Sequence, residues 1–159
     1  MKKSLFIFSL ISIFSAVTLF AQDSTQQNRL NQLLSEYYGL KDALVAGNAE
    51  TAAGKAGEFV KTLNGIDYKI ISEGNANALL KDAGSISETK DIKLQRQYFS
   101  NFSNNMYSLA KSVKLTVTPI YQQYCPMKKM YWLSNASEIR NPYYGSAMLT
   151  CGKVTDTLE

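Results

Sequence analysis

Four sulfur-bearing residues in the last third of the chain are its strongest candidates for chemistry. Cys125 and Met127 stand two residues apart, and Met148 and Cys151 stand three apart near the C-terminus. Thiolate and thioether sulfur are soft donors, which select Cu(I), zinc or an iron–sulfur cluster over hard cations. Because the chain contains no histidine, sulfur is its only soft ligand.

The spacing of these residues allows each pair to face a single point. Side chains two residues apart in an extended segment lie on the same side, so Cys125 and Met127 could converge, with Pro126 fixing the backbone between them. Met148 and Cys151 have the spacing of one helical turn or a tight bend. The two pairs together would offer up to four soft ligands, which suits Cu(I). Zinc prefers thiolate and imidazole to thioether, so Zn(II) ranks below Cu(I).

The same two cysteines could instead form a structural disulfide. The basic and then apolar N-terminus of this chain is typical of exported proteins, in which two cysteines are by default a disulfide. In the sequence, 25 residues separate Cys125 from Cys151. Closing that loop without strain would stabilise the fold by roughly 3–4 kcal/mol, and the methionines would then fill gaps in the core. A catalytic cysteine would need a base beside it, and the sequence offers no constellation for an enzyme.

The first 21 residues have the layout of a secretory signal peptide. A basic start, Met1-Lys2-Lys3, precedes an apolar and hydroxylic run, and Ala21 stands before the polar residue Gln22. The run is shorter than the about 20 apolar residues of a membrane-spanning helix. We therefore expect cleavage near Ala21–Gln22, a periplasmic or secreted protein of residues 22–159, and no stable membrane insertion after cleavage. Leu19 departs from the small-x-small rule, which leaves an uncleaved anchor as the alternative.

The charge of the chain gives little indication of its partners. Without Lys2 and Lys3, 15 basic residues face 13 acidic ones. The basic residues are dispersed, and the absence of a basic run argues against a nucleic-acid partner.

Apolar residues at helical spacing predict a core of four helices. The first helix should end at Gly47, and Asn48 should cap the second, which gives an antiparallel hairpin. A shorter third helix should be closed by Gly84, and a capping box at Ser85–Glu88 should open a long fourth helix. The fourth helix should bury the stripe that includes Phe99 and Met106, with Lys93, Arg96 and Lys111 on its other faces.

The pattern changes at Lys114, where β-branched and aromatic residues replace the helical spacing. Pro119 excludes a continuing helix and favours an edge strand. Further short strands are predicted at Trp132–Leu133 and Met148–Val154. The expected fold is mainly α: a four-helix bundle-like core in a single domain, with a small C-terminal β-rich subdomain over about residues 114–154.

An ordered series of motifs resembles a known family. The segments that carry the resemblance are Tyr37–Leu44, Arg96–Phe99, Tyr121–Met127, Trp132–Ser134, Glu138–Gly145 and Met148–Gly152. They are similar to an uncharacterised periplasmic domain, the domain of unknown function 3347.

This resemblance implies a role in handling heavy metals. Similar domains also occur fused to CusB-type adaptor proteins of heavy-metal efflux pumps, which implies copper or silver. Cu(I) is the first candidate ion, and Ag(I), like Zn(II), ranks below it. Cys125-Pro126-Met127 also resembles short heavy-metal-binding segments, although Lys128-Lys129 stands where those have His-Pro. The first hypothesis is a Cu(I) chaperone or buffer that serves an efflux-system adaptor or another envelope protein. The alternative is a non-catalytic structural or interaction domain stapled by a Cys125–Cys151 disulfide.

Overall fold

The structure, a computed structural model, describes residues 24–159 of the chain. The expected signal peptide and its cleavage site at Ala21–Gln22 lie outside the described residues. The helices are α1 (Ser4–Ala46, described from residue 24), α2 (Ala49–Leu63), α3 (Glu73–Ser87) and α4 (Ile92–Ser112). The strands are β1 (Ile120–Cys125), β2 (Met130–Ser134) and β3 (Lys153–Leu158), and a short 3₁₀ helix (Gly145–Met148) precedes β3. Over residues 24–159, no helix combines the length and apolarity needed to cross a membrane.

The link between α1 and α2 is formed by two residues, as the sequence predicts. Gly47 adopts a positive φ of 74°, which ends α1. The side chain of Asn48 then accepts a hydrogen bond of 3.0 Å from the backbone N–H of Thr51, which caps α2. A link this short makes the two helices antiparallel neighbours.

The boundary between α3 and α4 lies later in the chain than the sequence predicts. Gly84 is inside α3, and α4 is capped by Asp91, whose carboxylate accepts a 2.8 Å hydrogen bond from Lys93 N. The hydroxyls of Ser85 and Ser87 donate to the carbonyls of Lys81 and Gly84 within α3. The predicted capping box at Ser85–Glu88 is therefore wrong, because these serines bond back into the preceding helix.

The three strands form one antiparallel sheet in the order β2-β1-β3. Pro119 comes directly before β1, so it removes no hydrogen bond from the ladder and β1 can be the central strand rather than the predicted edge strand. The last strand is Lys153–Leu158, not Met148–Val154. The β-rich part therefore extends beyond residue 154.

The core lies between the helices and the sheet. Tyr37, Phe59, Phe99 and Phe102 are fully buried within the bundle, and Trp132 of β2 is buried where the sheet meets α4. Met106 is also fully buried, which confirms the predicted apolar stripe of α4. The expected fold class is confirmed: the chain is mainly α, with four helices and a small C-terminal sheet.

Candidate functional site

Cys125 is the last residue of β1 and lies fully buried in the hydrophobic core. It pairs with Met130 across the β1–β2 hairpin. Its carbonyl accepts a 2.8 Å hydrogen bond from Lys129 N, which closes the turn that follows, and Lys129 takes a positive φ of 57° there. The hairpin thus fixes the Cys125 thiol on the inner side of the sheet.

Cys151 lies in the short segment between the 3₁₀ helix and β3, and Asn141 holds that segment in place. The buried Asn141 amide donates a 2.7 Å hydrogen bond to Cys151 O, and Asn141 N donates 2.8 Å to Leu149 O. Asn141 Oδ1 also accepts a 2.8 Å hydrogen bond from Tyr143 N. One side chain therefore positions the Cys151 backbone and the turn that leads to the 3₁₀ helix.

The two cysteine side chains are in hydrogen-bonding contact, and both are free thiols in this structure. Partial burial raises the pKa of the Cys151 thiol, and the adjacent Cys125 sulfur raises it further through its charge and its hydrogen bond. Cys151 is partly exposed to solvent, whereas Cys125 is not. The pair therefore has one face that an incoming ion or reagent can reach.

Gly152 permits this close approach of the chain to the sheet. A Cβ at this position would lie 2.8 Å from the ring carbon Cη2 of Trp132 and 3.1 Å from the Tyr124 carbonyl. Both distances are too short for a side chain at residue 152. The absence of a side chain lets Cys151 approach the end of β1.

The two methionines proposed as ligands lie on the surface. Met127 occupies the turn between β1 and β2 and is 64 % exposed, and Met148 ends the 3₁₀ helix and is 37 % exposed. The expectation that residues 125–127 are extended is wrong, because β1 ends at Cys125 and the turn begins at Pro126. The structure thus brings the two cysteines together and leaves both methionine residues exposed on the adjoining segments.

Among residues 24–159, further ligands of the usual kinds do not surround this pair. Within the described part of the chain, no group of three or more His, Cys, Asp and Glu side chains lies where it could hold a metal ion. A soft-metal site here would consist of the Cys125 and Cys151 thiolates, supplemented by methionine sulfur.

Arg96 is a second residue with a specific role, although its position in the sequence predicts a place on the polar side of α4. Its Nε donates a 2.8 Å hydrogen bond to Pro142 O, and its Nη2 donates 2.9 Å to Leu44 O. The guanidinium therefore connects α4, the end of α1 and the turn after Asn141. The sequence spacing could have indicated this role, because Arg96 stands three residues before the buried Phe99 and so lies beside the apolar stripe.

Comparison with known proteins gives a family but no characterised relative. No curated protein matches the chain, and no solved structure matches it. One family model matches residues 33–118, which is more than half of the chain and runs from α1 to the segment before β1. Both cysteines lie outside the matched range. On this match the chain belongs to the family described as Protein of unknown function (DUF3347).

Proposed function

We propose that this protein binds one soft metal ion, Cu(I), through the thiolates of Cys125 and Cys151. The observation that carries the proposal is the direct contact between these two thiols, although 25 residues separate them in the sequence. Cu(I) accepts low coordination numbers with soft sulfur donors, so two thiolates make a sufficient site. The role is non-catalytic: the protein would act as a chaperone or buffer.

The fixed backbone at both cysteines supports this proposal. The β1–β2 turn holds Cys125, and Asn141 holds the segment of Cys151. Little rearrangement is needed before a metal ion can replace the thiol protons, and preorganised ligands raise affinity. Ag(I), which is also soft, fits the same pair. Zn(II) fits less well because it takes four ligands from thiolate, imidazole and carboxylate.

The exposed methionines would assist metal transfer. Met127 and Met148 lie on the segments that carry the two cysteines, and both residues are exposed. A thioether binds Cu(I) without losing a proton, so it can hold the ion during exchange with a partner. The proposed partner is an efflux-system adaptor or another envelope protein, and the proposed location is the periplasm or the exterior. Both rest on the resemblance of this domain to parts of CusB-type proteins and on the signal-like N-terminus.

A second candidate is a structural or interaction domain stapled by a Cys125–Cys151 disulfide. It is favoured by the complete burial of Cys125 within the core. Oxidation would bond the end of β1 covalently to the segment before β3. The two candidates differ in the chemical state of the same two sulfur atoms.

The deciding experiment counts free thiols and then titrates copper. Protein purified without reductant is analysed by mass spectrometry and thiol labelling, and the same sample then receives Cu(I) under reductant with a competing chelator. We expect two free thiols in the protein as purified and, under reductant, one tightly bound Cu(I) that is lost in Cys125→Ser. A mass lower by two hydrogen atoms, with no copper uptake after reduction, would establish the disulfide candidate instead.

The contribution of methionine is tested with a matched set of variants. Met127→Leu combined with Met148→Leu should weaken Cu(I) binding and leave the fold intact, because both side chains are exposed. Met106→Leu removes a thioether from the buried core of α4 and should leave Cu(I) affinity unchanged. Equal Cu(I) affinities in the double variant and the Met106 control would show that thioethers do not contribute to the proposed site.

A further inference from the structure

A cleft of about 320 Å³ opens between the start of α4 and the β1–β2 hairpin. Its polar lining includes three cationic side chains, those of Lys93, Arg96 and Lys128, and no acidic residue of the described chain lines it. Its remaining wall includes Met130 and the rings of Tyr143 and Tyr144. The volume is at the lower end of the range of small-molecule sites.

None of the three cations of this cleft has an anionic partner within the described part of the chain. The ion pairs found among residues 24–159 involve Lys41, Lys55 and Lys90, and none involves a residue of the cleft. Burial lowers the pKa of the Arg96 guanidinium, yet an arginine remains charged at neutral pH. A partly desolvated cation without a counter-ion is unfavourable. An anion in the cleft would supply that counter-ion.

The Arg96 guanidinium is held in a fixed orientation at the cleft. The carbonyls of Pro142 and Leu44 accept two of its five N–H groups, which leaves donors for a ligand. Gly145 makes this placement possible: its φ is +57°, and a Cβ there would lie 2.7 Å from Arg96 Nη2. A guanidinium in a set position presents the planar fork that matches carboxylate and phosphate oxygens.

The aromatic wall gives the cleft a second kind of surface. Tyr143 is buried, and its hydroxyl donates to the Tyr131 carbonyl, which fixes its ring. Lys128 Nζ lies 5.2 Å from the centre of the partly exposed Tyr144 ring. A flat apolar group could contact these rings and Met130 while the cations contact an attached anion.

We infer that this cleft binds a small molecule that joins an oxyanion, a carboxylate or a phosphate, to a flat apolar body. Arg96, Lys93 and Lys128 bind the oxyanion, and the tyrosine rings with Met130 contact the apolar body. The inference is independent of the proposed copper site, because it uses neither cysteine.

The test is an NMR titration of the isotope-labelled protein with four probes. Phenyl phosphate and benzoate carry both features, inorganic phosphate carries the anion alone, and phenol carries the ring alone. We expect saturable shifts of the Lys93, Gln97 and Tyr144 amides with phenyl phosphate or benzoate, and the stronger of the two identifies the oxyanion. Binding should weaken as ionic strength rises. Inorganic phosphate binding as tightly as phenyl phosphate would overturn the assigned apolar contact, and phenol binding as tightly would overturn the anion site.

Charge-removing variants locate the binding on the protein. Lys93 and Lys128 are exposed, so Lys93→Gln and Lys128→Gln should fold normally and each weaken binding about three- to tenfold. Lys153→Gln removes an equal charge from the exposed edge strand β3 and should leave the affinity unchanged. Cys151→Ser, at the partly exposed cysteine that does not line the cleft, should also leave it unchanged, which separates this site from the copper site. An absence of saturable shifts with both aryl anions, or equal weakening by Lys153→Gln and Lys128→Gln, would overturn the inference.

Discussion

The hydroxyl of Tyr37 in α1 accepts a 2.9 Å hydrogen bond from the backbone N–H of Leu133 in β2. The same hydroxyl lies 2.7 Å from Ser103 Oγ of α4. Tyr37 is fully buried, and burial raises the pKa of its phenol well above the ordinary value, so the group stays neutral and can donate. One phenol therefore connects two helices of the bundle to the sheet.

Replacing Tyr37 with phenylalanine should destabilise the protein by about 1–3 kcal/mol. The ring would remain, but the buried Leu133 N–H and the Ser103 hydroxyl would lose a shared partner, and unsatisfied buried polar groups carry this cost. Urea unfolding followed by circular dichroism measures the change in the free energy of unfolding. Tyr98→Phe, at an exposed tyrosine of the same helix as Ser103, is the control and should change it by less than about 0.5 kcal/mol. Similar values for the two variants would contradict a linking role for the Tyr37 hydroxyl.

Alanine substitutions at two glycines should have opposite effects on stability. Gly145→Ala places a Cβ 2.7 Å from Arg96 Nη2 and 2.8 Å from Val45 O at a positive φ, so we expect a loss of about 1–3 kcal/mol. Gly84 lies inside α3 with open space around it. Gly84→Ala should therefore stabilise the protein by about 0.5–1 kcal/mol through helix propensity. Thermal unfolding of both variants checks the signs, and a neutral Gly145→Ala would show that the Arg96 contacts can shift without cost.

Local patterns in the sequence were sufficient to predict the four helices but not all of their ends. The stripe through Phe99 and Met106 follows directly from helical spacing, and the turn at Gly47-Asn48 follows from capping preferences. The start of α4 was misplaced because a serine hydroxyl can cap a following helix or bond back into a preceding one. Only packing decides between these two hydrogen bonds, and the Ser85 hydroxyl bonds back to the Lys81 carbonyl of the preceding helix.

The proximity of the two cysteines was predictable from the sequence, and the geometry around them only in part. The sequence identified Cys125 and Cys151, and the structure adds that Asn141 and the bare backbone at Gly152 bring them together. Those two contacts join segments that lie in different elements, so no periodic pattern encodes them. The arrangement expected for Met127 failed because a turn, not an extended segment, follows β1.

The two cysteines should differ in reactivity once the protein is reduced. Cys125 is fully buried and Cys151 is partly exposed, so limiting maleimide should modify Cys151 first. The raised pKa of Cys151 leaves less thiolate at neutral pH, so its reaction should be slower than that of a free cysteine. Peptide mapping identifies the modified residue, and the unfolded protein in guanidinium serves as the control in which both react alike. Faster labelling of Cys125 would mean that the end of β1 opens to solvent.

The apparent affinity for Cu(I) should rise with pH, and this rise should continue to a higher pH than at a site with ordinary cysteines. Cu(I) must displace the Cys151 proton, so below the pKa of this thiol each pH unit changes the apparent affinity by about tenfold for that proton alone. Because partial burial and the Cys125 sulfur raise this pKa, the proton is still bound at pH values where a free cysteine is a thiolate. The apparent Cu(I) affinity should consequently still be rising at about pH 9. Competition titrations with a chelator of known proton affinity, from pH 6 to 9.5, measure this, and a plateau reached below about pH 8 would contradict a site that uses the Cys151 thiolate beside Cys125.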